Sequence, residues 1–416
     1  MLFIIFRHSF GMKPGGKNKK TAGKRLRALP NPKKAQAAGK IWKGKLNPLK
    51  SAQSASEGGH AFSIPQGVFY NPEMELCRDM FSLFTGTLAG KTRVADLMCA
   101  SGVRGLRYKL ENKNVASLSL SDLSEKAVAC AKENAKKNKV RCAVEYADAR
   151  ELLHNNKGEF DFLEIDPFGT PVPFIYDAAR FFEETDGGVL SVTATDMAVL
   201  CGANHAACLK NYGAAPLDNE FCHENAVRIL LGKIALACAP FNLGITPLVS
   251  FSHRHYVKVA LRLEQGAQHA VASVKKMGYV SYCPGCCWRE ASRLPRKNAC
   301  PSCSHQLEIG GPMYLGKLWD APTLAKMLEL NAKRGYRNSE KLEKLLRTIL
   351  AESRIESHGY YDLHVLAKKH NSRIMGMDAA LGAMREGGFA AERTHFCPTA
   401  IRTGAPHEEV VKRLCK

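Results

Sequence analysis

The tetrapeptide Asp166-Pro167-Phe168-Gly169 carries the residue types in this chain best suited to chemistry on a nitrogen base. A carboxylate and the carbonyl of a residue beside or belonging to proline are acceptors with no competing donor. Together they can hold both hydrogens of an exocyclic amino group. Phe168 adds a flat face on which a base can stack, as aromatic side chains do for extruded bases. Gly169 lets the backbone pass close to a ligand. The tetrapeptide alone reads equally well as a strand running into a turn, with Asp166 capping the next helix.

A second constellation is Cys283-Pro284-Gly285-Cys286, thirteen residues, then Cys300-Pro301-Ser302-Cys303. Two C-x-x-C knuckles supply four thiolates for a closed tetrahedral zinc site, which leaves no open position and is therefore structural. Cys287 and His305 lie close enough in sequence to replace a neighbour as ligand. The rival reading is two redox pairs.

A third set is a series of acids at strand ends. The turn Ala100-Ser101-Gly102-Val103-Arg104-Gly105 sits between a strand and a helix but lacks the full dinucleotide-binding glycine pattern. Asp122 falls 20 residues after Gly102, where a carboxylate can take both ribose hydroxyls. Asp148 and Ala149 end the next strand, where a carboxylate and a backbone N–H can meet an adenine. With Asp96 and Asp166, four successive strands end in acids. The turn carries Arg104, with Arg107 one helical turn later, and guanidinium groups pair with carboxylates. That suits an adenosine bearing an amino-acid carboxylate better than a pyrophosphate, so S-adenosylmethionine fits better than NAD.

These residues need a scaffold that delivers strand ends side by side. Phe160–Ile165 reads as a short buried strand stopped by Pro167. Strands are also expected at 93–98, 116–120, 142–146, 188–193, 246–251 and 256–263, with helices between most of them. The helix at 124–138 has Ser124 as its cap. Strand–helix alternation predicts an α/β fold with a doubly wound sheet, whose ligands lie at the carboxyl ends of strands. Beyond residue 318, helices near 342–353, 363–370 and 378–386 precede a hairpin, the order of a winged helix. The expected organisation is a basic, unstructured extension over 1–60, a Rossmann-like domain over 61–265, and a C-terminal α+β domain over 266–416 with the zinc ribbon at about 281–306.

The 416 residues carry a net charge of +21. Residues 1–56 hold 14 Lys and Arg and no acid, leaving +7 (21 − 14) for the remainder. Such asymmetry points to a polyanion, most simply nucleic acid. The apolar start, Met1–Phe6, is too short for a signal-peptide core or a membrane span. Fifteen scattered cysteines fit a reducing cytoplasm better than a disulfide framework. An organellar or nuclear address in the basic tail stays open, and no obligatory protein partner is evident.

Several stretches together resemble the tRNA (guanine-N2)-dimethyltransferase family, which modifies the guanine at tRNA position 26. They are Val68-Phe69-Tyr70-Asn71-Pro72, Arg78-Asp79, Ser101-Gly102-Val103-Arg104-Gly105, Asp166-Pro167-Phe168-Gly169 and Thr193-Ala194-Thr195-Asp196 running on to Leu200-Cys201-Gly202-Ala203. Cys222-His223-Glu224, His255-Tyr256, Arg393-Thr394-His395-Phe396 and Pro398-Thr399 follow in the same order. The resemblance implies a class I methyltransferase fold, S-adenosylmethionine as methyl donor and a C-terminal domain that grips tRNA. It implies that Arg78 and Arg104 hold the methionine carboxylate, Asp122 the ribose, and Asp148 with Ala149 the adenine. Asp166, with Pro167 and Phe168, takes the catalytic role. Cys77 stands where the family usually has Asn, Thr170 where Ser is common, and Met98-Cys99 where smaller residues are usual. An amino-group methyltransferase acting on another RNA guanine, on DNA adenine or on a protein amide shares the acidic-Pro-aromatic signature. An inactive tRNA chaperone built on the same fold is the non-enzymatic alternative.

Overall fold

A computed structural model describes residues 53–296 and 299–415. The basic extension expected at the N-terminus therefore lies outside the described residues up to position 52. Regular structure begins ahead of the boundary expected at residue 61. Strand β1 (Gln53–Glu57) pairs antiparallel with β2 (His60–Ile64). Alternation explains it: Phe62 and Ile64 point inward and are buried.

The alternating elements follow the expected order. After α1 (Glu75–Thr87) come β3 (Thr92–Asp96), α2 (Val103–Glu111), β4 (Val115–Asp122), α3 (Glu125–Lys137), β5 (Ala143–Tyr146), α4 (Ala149–Asn155), β6 (Phe162–Ile165), α5 (Val172–Phe182) and β7 (Gly187–Ala194). Helices α6 (Met197–Leu200), α7 (His205–Tyr212) and α8 (Cys222–Cys238) lead to a long antiparallel pair, β8 (Leu243–His253) and β9 (Tyr256–Gln265). These strands form one seven-stranded sheet in the order β5-β4-β3-β6-β7-β9-β8. The β3, β4, β5, β6 and β7 pairings are parallel, and β9 runs antiparallel to β7. From β3 the chain winds outward one way through β4 and β5, then the other way through β6 and β7. The carboxyl ends of β3 and β6 thus flank the point where open α/β sheets bind ligands.

Beyond α9 (Ala267–Val274), a three-stranded sheet β11-β10-β12 is built from β10 (Met277–Tyr282), β11 (Arg289–Ser292) and β12 (Glu308–Tyr314). Then come α10 (Ala321–Arg334), α11 (Ser339–Glu352), β13 (Tyr361–Asp362), α12 (Leu363–Lys369), α13 (Met377–Glu386), β14 (Ala391–Arg393), β15 (Ala400–Thr403) and α14 (His407–Leu414). The order β13-β15-β14, with helices α11 to α13, is the arrangement of a winged helix.

Buried ion pairs fasten these parts. Arg107 is not a partner of Arg104 in a ligand site, as its spacing suggested. Its guanidinium is fully buried and bonds Glu57 (3.0 Å), Asp79 (2.7 Å) and Glu111 (2.6 Å). Three carboxylates from β1, α1 and α2 therefore converge on one cation. Arg334, at the end of α10, joins the same cluster through Glu111 and Asn112. A second cluster joins α8 to the winged-helix region: Arg402 bridges Glu224 (2.5 Å) and Glu352 (2.9 Å), while Glu224 also pairs with Arg228 (2.8 Å). Removing one member of such a set strands the others in a dry interior. Arg107→Ala is expected to destabilise the fold by roughly 3–5 kcal/mol in urea unfolding. A loss below about 1 kcal/mol would show that the three acids relax into solvent.

Candidate active site

Asp166 leaves β6 at its carboxyl end, and strand geometry decides what surrounds it. All four residues of β6 are buried, including Glu164. Glu164 accepts from Tyr108 Oη (2.9 Å) and pairs with Lys258 of β9, both partners fully buried. Lys258 Nζ also donates to Thr193 Oγ1 of β7 (2.9 Å) and lies 4.5 Å from the Phe81 ring centre. Arg104, in the first turn of α2, reaches over from β3 and ion-pairs directly with Asp166. Its other terminal nitrogen lies 3.8 Å from Cys77 Sγ. Cys77, which stands where the family resembled usually has Asn, thus touches the Arg104–Asp166 ion pair. Burial alone would raise the Asp166 carboxyl, but Arg104, Lys258 and a hydrogen bond from Thr193 outweigh it and hold the group below the ordinary range. Asp166 is an anion at neutral pH, a hydrogen-bond acceptor.

The turn after Asp166 is anchored to the next strand. Gly169 N donates to Thr195 Oγ1 (2.7 Å), and Thr195 N donates to Gly169 O (2.9 Å). Thr170 Oγ1 donates to Tyr212 Oη (2.9 Å), which donates to Asp196 (2.8 Å). Phe168 stays 66% exposed and meets Phe69 edge-on, ring centres 4.7 Å apart at 88°. Phe69 was in a matched stretch, but sequence reasoning gave it no role; an exposed aromatic just ahead of a buried helix was the available signal. Glu164, Thr193 and Lys258 were missed as a group because the contacts span up to 94 residues.

The other strand-end acids line the same edge. Asp122 accepts from Ala100 N (2.9 Å) and Ser124 N (2.9 Å), tying the glycine turn to the end of β4. That turn needs Gly102: its φ is +76°, and a Cβ there would sit 3.1 Å from Ala131 Cβ. Asp148 caps α4 through Arg150 N (2.8 Å) and pairs with the Arg150 guanidinium (2.8 Å), which lowers its carboxyl pKa. Ala149, the first residue of α4, is buried. Arg78 is anchored by Glu57 and by the Asn71 carbonyl (3.0 Å). Glu57 in turn accepts from Tyr70 Oη (2.7 Å).

The family model described as N2,N2-dimethylguanosine tRNA methyltransferase matches residues 44–415. The chain belongs to this family. It is 34% identical over 353 residues to the tRNA (guanine(26)-N(2))-dimethyltransferase of Methanothermobacter thermautotrophicus, covering 83% of this chain and 92% of that protein. It is 36% identical to the tRNA (guanine(26)-N(2)/guanine(27)-N(2))-dimethyltransferase of Aquifex aeolicus, covering 83% and 89%. The solved complex of Pyrococcus horikoshii Trm1 with S-adenosyl-L-methionine aligns with a TM-score of 0.80 and 32% identity, over 88% of this chain and 100% of that one.

In this family member the cysteine ribbon is a distinct centre. The sulfurs of Cys283, Cys286, Cys300 and Cys303 all lie within 4.8 Å of one another. Cys283 and Cys303 are 3.4 Å apart, and Cys286 and Cys300 3.6 Å. Metal–sulfur bonds of about 2.3 Å in a tetrahedron put sulfurs about 3.8 Å apart, so the donor set fits zinc. Both knuckles close alike: Cys287 N donates to Cys283 O and Ser304 N to Cys300 O, each at 2.9 Å. Cys287 and Ser304 take matching left-handed conformations, φ 65° and 61°. Cys287 is thus the turn residue, with its sulfur 3.9 Å from Tyr282 Oη. His305 packs beside Gly285 and is not in the cluster.

Asp96 lies fully buried behind the site and accepts from Gly105 N (3.2 Å). Its carboxyl is pushed up to about 7, first by burial and then by the Glu164 charge, against Arg104 and Lys258. The unfolded chain releases this proton near 3.8. The folded state therefore holds a proton the unfolded state has lost, and Asp96 removes stability as pH rises from about 4 to 7. Asp96→Asn keeps the acceptor and abolishes the titration. Relative to the parent protein it is expected to gain urea stability between pH 5 and pH 8; a pH-independent difference would contradict the assignment.

Proposed function

We propose that this protein transfers methyl groups to the exocyclic N2 of guanine at position 26 of tRNA, taking them from S-adenosylmethionine. The observation that carries the reading is the Asp166-Pro167-Phe168-Gly169 turn at the sheet's switch point, its carboxylate held anionic by Arg104.

Arg78 and Arg104, beside their pairs with Glu57 and Asp166, would hold the methionine carboxylate, Asp122 the ribose hydroxyls, and Asp148 with the Ala149 N–H the adenine. A positively charged sulfonium, when bound, supplies the electrophilic methyl group. The rest is work for side chains of this chain. Guanine N2 is a poor nucleophile because its lone pair is delocalised into the ring. Asp166 and the Pro167 carbonyl accept its two hydrogens and direct that lone pair away from the ring. Phe168 stacks on the base, and Phe69 braces Phe168 from the side. Positioning and fixed charges of this kind lower the barrier without a covalent intermediate. A carboxylate held below the usual range keeps the leaving proton only briefly and passes it on to water at the exposed rim. One of these two contacts remains for a second transfer, since N2 still carries one hydrogen after the first.

The four-cysteine cluster holds a structural Zn2+, and the winged-helix region with the basic N-terminal extension grips tRNA through its phosphates. The cytoplasm is the compartment that suits this chemistry.

The test is to incubate the protein with labelled S-adenosylmethionine and unmodified tRNA, then digest to nucleosides. N2-methyl- and N2,N2-dimethylguanosine are expected, and both should vanish when guanine 26 is replaced. Label retained at guanine 27 or elsewhere would overturn the position. No label in RNA would overturn the function.

A further inference from the structure

A second group of soft ligands lies outside the ribbon and the catalytic turn. Cys201, just after α6, and Cys222 and His223, the first two residues of α8, bring two sulfurs and a ring nitrogen within 4.8 Å of one another. Nothing in the methyl-transfer chemistry uses them. The geometry points to a second zinc site, held by Cys201, Cys222 and His223.

The chain closes on itself here by a close approach. Gly202 has φ +102°, and a Cβ on it would lie 2.9 Å from Asp218 N and Cβ. Only glycine allows the Cys201 segment to lie against the strand of chain leading to α8. The sulfurs are brought together from positions 21 residues apart, so the pairing is a product of the fold. All three residues are half-buried, leaving an entry path for the ion.

Charge favours the assignment. Two thiolates and a neutral imidazole cancel the ion's two positive charges, so no net charge is placed in a half-buried position. Binding releases the two thiol protons to solvent. Three protein ligands leave the fourth tetrahedral position to water. Soft sulfur with imidazole selects zinc over magnesium or calcium. The ion would clamp two segments: the chain after the Thr193-Ala194-Thr195-Asp196 wall of the active site, and the start of α8 with its buried Glu224.

The experiment is zinc counting by elemental analysis and native mass spectrometry on the full chain purified under reducing conditions with zinc. Two equivalents per chain are expected. Cys201→Ser, Cys222→Ser and His223→Gln should each leave one, and Cys300→Ser should also leave one by emptying the ribbon. One equivalent in the parent protein, lost in Cys300→Ser and untouched in Cys201→Ser, would overturn the proposal. A readout on the unaltered chain guards against variants that misfold. Iodoacetamide should label Cys201 and Cys222 at least tenfold faster after the metal is stripped with a chelator. Equal labelling before and after, or a Cys201–Cys222 disulfide in the freshly purified protein, would equally overturn it.

Discussion

The ion pair between Arg104 and Asp166 is the interaction on which the rest of the site depends. A carboxylate at a strand end, mostly out of water, tends to take up a proton and cease to be an acceptor. The protein prevents this with layered charge. Arg104 covers Asp166 from α2, and Lys258 lies beneath it, itself neutralised by Glu164 two residues earlier on β6. Lys258 also touches Thr193, so three adjacent strands contribute to one electrostatic arrangement. Such buried pairs add little net stability over a well-packed apolar core, but breaking one is costly. Their value here is in fixing the charge state and direction of Asp166.

The surrounding architecture keeps that arrangement rigid. The Asp-Pro-Phe-Gly turn is laced to the segment after β7 by the two Gly169–Thr195 bonds and the Thr170–Tyr212–Asp196 chain. Arg107 holds β1, α1 and α2 together behind the cofactor edge. Arg402, bridging Glu224 and Glu352, joins α8 to the winged-helix region. On the proposed function, an RNA gripped by the C-terminal elements would thereby lie at a set distance from Asp166, which a methyl transfer needs, since misplacement by about 1 Å can cost 100-fold.

Much of this was legible in the sequence because it is local. A short apolar run and the breaker at Pro167 located β6, and the acids at 96, 122, 148 and 166 fell at adjacent strand ends because the sheet order is β5-β4-β3-β6. The clustering of Cys283, Cys286, Cys300 and Cys303 followed from their spacing. What was not legible is what depends on partners far along the chain. Arg104 and Arg107 look alike at helical spacing, yet one faces Asp166 and the other meets Glu57 and Asp79, 50 and 28 residues away. The β1–β2 hairpin escaped notice because its Ser/Ala-rich strands bury few large side chains, chiefly Phe62 and Ile64. Lys258 reads as a charge within an apolar strand, and its meaning appears only when β9 lies antiparallel beside β7.

The most direct test of the account is single-turnover methyl transfer by Asp166→Asn at saturating tRNA and S-adenosylmethionine, with both affinities measured separately. The substitution keeps the size and one acceptor oxygen but removes the charge that Arg104 and Lys258 orient. A rate loss of about 100-fold or more is expected, as for other preorganised electrostatic groups, with both affinities within a few-fold of the parent protein. A rate close to that of the parent protein would contradict the central role of the Asp166 carboxylate.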